Sequence, residues 1–184
     1  MQSQEKSLIN LDCKPLIEHV SYQLSTQGCK VIVNANGNKE RFSWLNLPVI
    51  EDTIDGFAGP LAGILSGMKW AIENTSSEYI LTAATDTPFF PDTYVEEMAF
   101  KLTSGEIKIA TSLGKKHPVF GLWPVSLAND LEAFLRAGDR KIMLFVQQNL
   151  HSFVDFPAPS HDPFFNINTP EDLALAQSIL ESSQ

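Results

Sequence analysis

The sequence predicts an α/β protein with a three-layer, doubly wound, mostly parallel sheet. Short apolar runs that end in polar residues alternate with amphipathic stretches of helical period. This alternation indicates βαβ units, in which helices cover both faces of a parallel sheet. The length of 184 residues and the hydrophobic content of 43% suit a single domain, so residues 1–184 are expected to form one domain with a full core.

In the first half of the chain, three predicted helices alternate with three predicted strands. The strands are KVIVNAN, LPVIEDT and EYILTAATDTP, each an apolar run that ends on polar or acidic residues. The helices are KPLIEHVSYQLSTQG, GPLAGILSGMKWAIENT and PDTYVEEMAFKLTSG. Gly28 is the expected stop of the first helix, and Pro91 and Asp92 begin the third.

The second half of the chain is less regular. EIKIAT, PVFGLW and HSFVDF are predicted strands, and VSLANDLEAFLRAG and RKIMLFVQQN are predicted helices. NTPEDLALAQSIL forms the last helix, because Thr169 can cap it and Pro170 suits its first position.

Charge and composition exclude several classes of function. The formal net charge is -9 and Lys and Arg do not cluster, which argues against nucleic-acid binding. No apolar run reaches the roughly 18 residues of a membrane span, and no signal peptide is visible. Cys13 and Cys29 fit two free thiols in a reducing compartment. We therefore expect a cytoplasmic protein.

Three predicted strands end in VIVNAN, VIED and ILTAATDTP. In open α/β sheets, ligands bind beyond the carboxyl ends of the strands, so these strand ends are expected to bring together Asn34, Asn36, Glu51, Asp52 and Asp86. Asp86 follows an apolar run and is the best candidate to hold Mg²⁺, which is often bound by one or two carboxylates and phosphate oxygens. Taken singly, Asp86 could begin a turn or cap a helix, Asp52 could begin a loop, and Asn34 could form a turn.

The stretch AGPLAGILSG is a Gly/Pro loop that leads into a helix. Free amides at that helix start, around Gly59 and Gly63, could face a phosphate or a nucleobase. Composition alone favours the alternative of a plain loop and a small-residue helix packed close to the sheet.

Other polar residues give weaker indications. His117 could touch a substrate or simply end a strand, and Arg140 and Lys141 stand at a helix start, where cations need another partner such as a phosphate. Asn166 and Asn168 precede the last helix and could equally form a turn. No motif for nucleophilic catalysis is present.

Taken in order, these pieces resemble the molybdenum cofactor guanylyltransferase family. The resemblance rests on EKSLINLDCKPLIEHV, VIVNAN, VIEDTIDGFAGPLAGILSGM, ILTAATDTPFFP, KHPVFGLWP, AGDRKIMLFV and FFNINTPEDLALAQ, and it covers nearly the whole chain. It implies a Mg²⁺-dependent nucleotidyltransferase that joins GMP from GTP to Mo-molybdopterin and releases pyrophosphate. Handover of the product to molybdoenzymes or their chaperones is a further implication.

The resemblance also implies roles for single residues. Lys6 resembles a lysine that contacts GTP phosphates, and with Asp86, which resembles the Mg²⁺ ligand, it is the expected catalytic pair. Asn34 and Asp52 resemble residues that recognise the nucleotide, and Gly59 and Gly63 belong to the same expected binding region.

On the other side of the expected site, Asn166 and Asn168 resemble residues that bind the molybdopterin. Arg140 and Lys141 are assigned to the same side.

The beginning of the sequence departs from the family. The family has a first strand followed by a loop of the form L-A-G-G-x-x-x-R-M-G-G-x-D-K, whose amides wrap the phosphates. Met1 falls on the internal Met of that loop, Gln2 and Ser3 stand where two glycines belong, Glu5 replaces Asp, and Lys6 keeps its place. We therefore expect that about 20 family residues, a strand and most of the loop, are missing before Met1.

Two alternatives to the guanylyltransferase hypothesis follow. One keeps the fold and uses CTP to make the cytosine dinucleotide. The other is a non-catalytic remnant that binds a molybdopterin or a partner protein, and it rests on the expected loss of the phosphate loop.

Overall fold

Strands and helices alternate along the chain, and the computed structural model describes residues 6–54, 56 and 59–182. The strands are β1 (Asn10–Leu11), β2 (Lys14–Pro15), β3 (Val33–Asn34), β4 (Val49–Ile50), β5 (Tyr79–Thr82), β6 (Ile107–Ser112), β7 (Lys115–Pro124) and β8 (His151–Asp155). The helices are α1 (Leu16–Thr26), α2 (Pro60–Asn74), α3 (Tyr94–Ala99), α4 (Ala128–Arg136), α5 (Ile142–Gln147) and α6 (Pro170–Ser182). Short 3-10 helices cover Lys6–Leu8, Lys39–Leu45 and Val125–Leu127.

The larger sheet has the strand order β5-β7-β6-β8. Strand β7 is antiparallel to both β5 and β6, whereas β6 and β8 are parallel. The β6–β7 hairpin turns at Leu113 and Gly114, whose φ angles of 51° and 73° suit a two-residue hairpin turn. The predicted α/β class is confirmed, and this sheet is mixed in strand direction because of that hairpin.

Strands β3 and β4 form a separate parallel ladder, with Val33 opposite Val49 and Asn34 opposite Ile50. Helix α2 packs against β3, β4 and β5. The polar residues that follow β3 and β4 therefore leave the ladder at one edge, close to the face that α2 covers.

Helices lie on both faces of the larger sheet, as expected for three layers. On one face, Ile107, Ile109 and Trp123 pack against α2, α4 and α5. On the other face, Phe120 and Leu122 pack against α1 and α3. Burial on both faces explains why these strands read as apolar runs in the sequence.

Several predicted boundaries differ from those of the structure. Helix α1 ends as predicted, with Gly28 at φ 86° just beyond it. The predicted PDTYVEEMAFKLTSG helix is reduced to α3. Its start is delayed by a turn closed by the hydrogen bond from Tyr94 N to Pro91 O, and it ends early because Phe100 is extended and Lys101 has a φ of 49°. Strand β3 is much shorter than KVIVNAN.

Cys13 and Cys29 are free thiols, as expected. In the part of the chain that the structure describes, no helix has both the length and the apolar character needed to cross a membrane.

Candidate nucleotide and metal site

Asp86 lies four residues beyond the end of β5 and is half-buried. Its Oδ1 accepts a hydrogen bond from Asn166 Nδ2 at 3.2 Å and one from the hydroxyl of the buried Thr87 at 3.4 Å. A backbone hydrogen bond joins the same two segments, since Ile167 N donates to Asp86 O at 2.8 Å. The structure thus brings together Asp86 and Asn166, which the sequence analysis assigned to one site.

Lys6 and Asn168 meet at the same edge of the molecule. Lys6 Nζ donates to Asn168 Oδ1 at 2.6 Å. Asn168 is held by the start of α6, since Asn168 N and Thr169 N both donate to Asp172 Oδ2 at 2.9 Å. The backbone hydrogen bond from Asn168, with the hydrogen bonds from Thr169, lowers the pKa of Asp172. The carboxylate therefore stays ionised and continues to accept from Asn168 N and Thr169 N.

The ends of β3 and β4 form a second polar group. Asn36 is bonded twice to Asp52: Asn36 Nδ2 donates to Asp52 Oδ2 at 2.8 Å, and Asp52 N donates to Asn36 Oδ1 at 2.9 Å. The other carboxylate oxygen, Asp52 Oδ1, is buried, and no described residue donates a hydrogen bond to it. A buried carboxylate oxygen without a donor is costly, so this atom is poised to accept a hydrogen bond from a ligand.

Gly63 of α2 leaves room beside that oxygen. A Cβ at Gly63 would lie 2.6 Å from Asn34 Oδ1 and 3.9 Å from Asp52 Oδ1. Asn34 and Asp52 therefore approach the helix at the same point, and glycine is needed there because any larger residue would push Asn34 away.

Gly63→Ala is expected to change ligand affinity and stability in opposite directions. Alanine favours the helix interior by about 0.5–1 kcal/mol over glycine, whereas displacing the exposed Asn34 side chain removes one hydrogen-bonding group from the site. We expect nucleotide affinity to fall about 3–10-fold, the value of one neutral hydrogen bond, with an unchanged or higher melting temperature. Calorimetric titration and thermal unfolding check this.

The matched control is Gly67→Ala in the same helix, where a Cβ would meet the apolar Ile80 at 3.1 Å and no polar group. That variant should leave nucleotide affinity unchanged. Equal losses of affinity in both variants would contradict a specific role for Gly63.

Of the other predicted residues, Gly59 and Arg140 lie around the start of α2. Gly59 is the residue before the helix, with φ 155°, and Ala62 N donates to Gly59 O at 3.1 Å. Arg140 Nη2 donates to Gly56 O at 3.4 Å, so Arg140 lies beside the same connection. Lys141 precedes α5, which begins at Ile142. Assignment of Arg140 and Lys141 to a molybdopterin side stays a prediction.

A magnesium ion would find one suitable carboxylate here. Among the described residues, no group of three or more His, Cys, Asp or Glu could hold a metal ion. Asp86 nevertheless fits Mg²⁺ bound partly by substrate phosphates, since both of its described hydrogen bonds go to Oδ1 and Oδ2 is left for a cation.

Sequence reasoning missed some of the residues that shape the site. The sequence places Asn36 at a strand end, but the two hydrogen bonds that it forms with Asp52 depend on the β3–β4 register. Ser112 and Asp162 gave no signal in the sequence, and only the fold shows that they form one hydrogen-bonded group. Met1, Gln2, Ser3 and Glu5, compared above with a glycine-rich loop, lie outside the described residues.

Comparison with protein families gives a match over residues 1–152, to the family described as MobA-like NTP transferase domain. The chain belongs to this family. The resemblance to molybdenum cofactor guanylyltransferases is confirmed by close relatives of that name. The one from Mesorhizobium japonicum is 41% identical over 184 residues, covering 97% of this chain and 88% of that protein. The one from Rhizobium meliloti is 39% identical over 183 residues, covering 95% and 84%.

Solved structures of the same type share the fold of this MobA-like chain. Molybdopterin-guanine dinucleotide biosynthesis protein A from Archaeoglobus fulgidus has a TM-score of 0.76 at 24% identity, covering 98% of this chain and 92% of that one. The 2-C-methyl-D-erythritol 4-phosphate cytidylyltransferase from Thermus thermophilus has a TM-score of 0.66 at 17% identity, covering 96% and 94%. The family match and the close relatives make the MobA-like chain a nucleotidyltransferase, and the solved structures show its α/β fold. The relatives are named as enzymes of molybdenum cofactor guanylylation.

Proposed function

We propose that this chain transfers GMP from GTP to Mo-molybdopterin, forming the guanine dinucleotide and releasing pyrophosphate. The observation that carries the choice of GTP is the buried oxygen Asp52 Oδ1, to which no described residue donates a hydrogen bond. The names of the close relatives support the same substrate class.

Asp52 favours guanine because an ionised carboxylate only accepts hydrogen bonds. Guanine presents two adjacent donors, N1–H and the N2 amine, on its Watson–Crick edge. Cytosine presents one amine donor next to the acceptor N3, which a carboxylate would repel. Asn36 holds Asp52 through its backbone N–H and its other carboxylate oxygen, so a base that reaches Oδ1 would meet an acceptor that is already oriented.

Lys6 and Asp86 would serve the phosphates. Lys6 is exposed, and its Nζ donates a hydrogen bond to Asn168, so its charge is held near the segment that also contacts Asp86. Asp86 would hold Mg²⁺, which when bound supplies positive charge to the phosphate oxygens. The reaction needs no covalent enzyme intermediate: the molybdopterin phosphate attacks the α-phosphorus of GTP in line, and the protein positions both reactants.

The direct test is pyrophosphate release by the purified chain with Mo-molybdopterin and either GTP or CTP. We expect release with GTP and a clear preference over CTP. Preference for CTP would overturn the guanine assignment. If the chain binds molybdopterin but releases no pyrophosphate from either nucleotide, the enzymatic function is wrong and the non-catalytic alternative is favoured.

Lys6→Ala is expected to weaken GTP binding about 10–100-fold, because a hydrogen bond to a charged group contributes about 1.5–3 kcal/mol. Lys14→Ala, at a nearby exposed lysine, is the control and should bind GTP normally. Because Lys6 also contacts Asn168, Asn168→Ala is measured beside it. An unaltered dissociation constant for Lys6→Ala would remove Lys6 from the phosphate site.

A further inference from the structure

A buried polar cluster lies where the two long strands β6 and β7 meet the segment before α6. Ser112, at the end of β6, is fully buried, and its Oγ lies 2.6 Å from Asp162 Oδ1 and 2.8 Å from His117 Nε2. His117 and Asp162 are themselves largely buried, with side chains 14% and 19% exposed. The proposed transfer reaction uses none of these three groups.

The hydrogen bonds of the cluster have one consistent direction. An ionised carboxylate can only accept, so Ser112 donates its single hydroxyl proton to Asp162. His117 must then donate from Nε2 to Ser112 Oγ. Burial lowers the pKa of His117, and Lys115 acts in the same direction while Asp162 opposes them, so the neutral imidazole with its proton on Nε2 fits the site. The chain of donors therefore runs from His117 through Ser112 to Asp162.

Asp162 in turn fixes the backbone that follows it. Phe164 N donates to Asp162 Oδ1 at 3.0 Å, and Phe165 N donates to Asp162 O at 3.0 Å. The buried Phe164 ring packs 4.7 Å from both the His117 ring and the Phe120 ring. One carboxylate thus links the end of β6 to the first turn of the segment.

The segment Asp162–Asn168 carries the polar groups of the candidate site only a few residues further on. Asn166 contacts Asp86, Ile167 is completely buried and bonded to the Asp86 backbone, and Asn168 contacts Lys6. At the other end of the segment, Asn168 N donates a hydrogen bond to Asp172 of α6. Asp162 therefore holds the N-terminal end of the segment, and Asp172 holds its C-terminal end.

We propose that Asp162, held by Ser112 and His117, is a positioning residue that fixes the segment Asp162–Asn168 so that Asn166 and Asn168 contact Asp86 and Lys6. The catalytic consequence rests on the proposed function. Asp162 touches no reacting group in this scheme, and it acts through the backbone that it orders. A misplacement of about 1 Å at a reacting group can cost about 100-fold in rate, so a small release of this segment is sufficient.

The test uses Asp162→Ala in the full chain, with two readouts. Hydrogen exchange of the peptide that spans residues 162–168 should become faster while exchange in β6 and α6 stays as in the wild type. The kcat for pyrophosphate release should fall about 10–100-fold. The dissociation constant for GTP should rise less than in Lys6→Ala, because Lys6 itself is retained and the base site at Asn34 and Asp52 lies on other elements.

Asp162→Asn is the conservative rescue, since its Oδ1 can still accept from Ser112 and Phe164 N. It should restore both exchange and kcat to within about threefold of the wild type. Ser112→Ala removes only the hydroxyl that donates to Asp162. It should show faster exchange of residues 162–168 and a lower kcat, each to a smaller degree than Asp162→Ala. This variant keeps the test available if Asp162→Ala fails to fold. Asp155→Ala is the matched control, because Asp155 is an exposed carboxylate at the end of β8 that accepts from Thr111.

Three results would overturn the proposal: wild-type exchange in Asp162→Ala, faster exchange spread over the whole chain, or failure of Asp162→Asn to restore the segment. The wild-type reaction is measured first. If the wild type releases no pyrophosphate, the proposed function fails, and the exchange readout still decides whether Asp162 orders the segment.

Discussion

Asp86→Asn should reduce nucleotidyl transfer about 100–1,000-fold, the usual cost of removing one group that stabilises charge in a transition state. The fold should persist, because an asparagine Oδ1 still accepts from Asn166 and the bond from Ile167 N to the residue 86 carbonyl is unaffected. What is lost is the carboxylate charge that would hold Mg²⁺. Rates are measured as pyrophosphate release over a range of Mg²⁺ concentrations, beside thermal unfolding.

Asp92→Asn is the matched control for this change. Asp92 is an exposed carboxylate in the same connection, and its bond from Gln23 Nε2 at 3.3 Å can be kept by an asparagine oxygen. The control should react like the wild type. Full activity in Asp86→Asn, or an equal loss in both variants, would remove Asp86 from the metal site.

Asp52→Asn should change the choice of nucleotide. It replaces an acceptor-only group by one with two donors, which can turn an N–H toward the N–H edge of guanine. We expect GTP affinity to fall about 10–100-fold, corresponding to about 1.5–3 kcal/mol for a hydrogen bond to a charged group, with no comparable fall for CTP. Both dissociation constants are measured by calorimetry on the same preparation.

Glu51→Gln, at the neighbouring exposed carboxylate that pairs with Lys39 at 3.4 Å, controls for loss of charge alone. It should leave the ratio of GTP to CTP affinity unchanged. If Asp52→Asn weakens both nucleotides equally, Asp52 holds the local structure and does not read the base.

The sequence predicted much of the fold because its elements follow simple patterns. Helix α2 shows Leu61, Ile64, Leu65 and Met68 on one face, and all four are buried as this spacing requires. The direction of β7 was not predictable in the same way, since an apolar run says nothing about the strand beside it. Only the turn at Leu113 and Gly114 settles that direction.

The candidate site was predictable in part. The rule that ligands lie beyond strand ends selected Asn34, Asp52 and Asp86, and the structure joins Asn34 with Asp52 beside Gly63. The contact of Lys6 with Asn168 could not be derived from local pattern, because the two residues are 162 positions apart. Such long-range contacts depend on the packing of the whole sheet.

The hydrogen bond from Ile167 N to Asp86 O also has a consequence for the order in which parts of the site assemble during synthesis. A ribosome delivers the chain from its N-terminus, so the strands that precede Asp86 exist long before residues 166–168 leave the exit tunnel. Once β5 and β8 lie in one sheet, only the connection from Asp155 to Ile167 remains to be ordered. The site is therefore assembled last, and a nascent chain can hold a nearly complete sheet before Asp86 gains the neighbours that orient it.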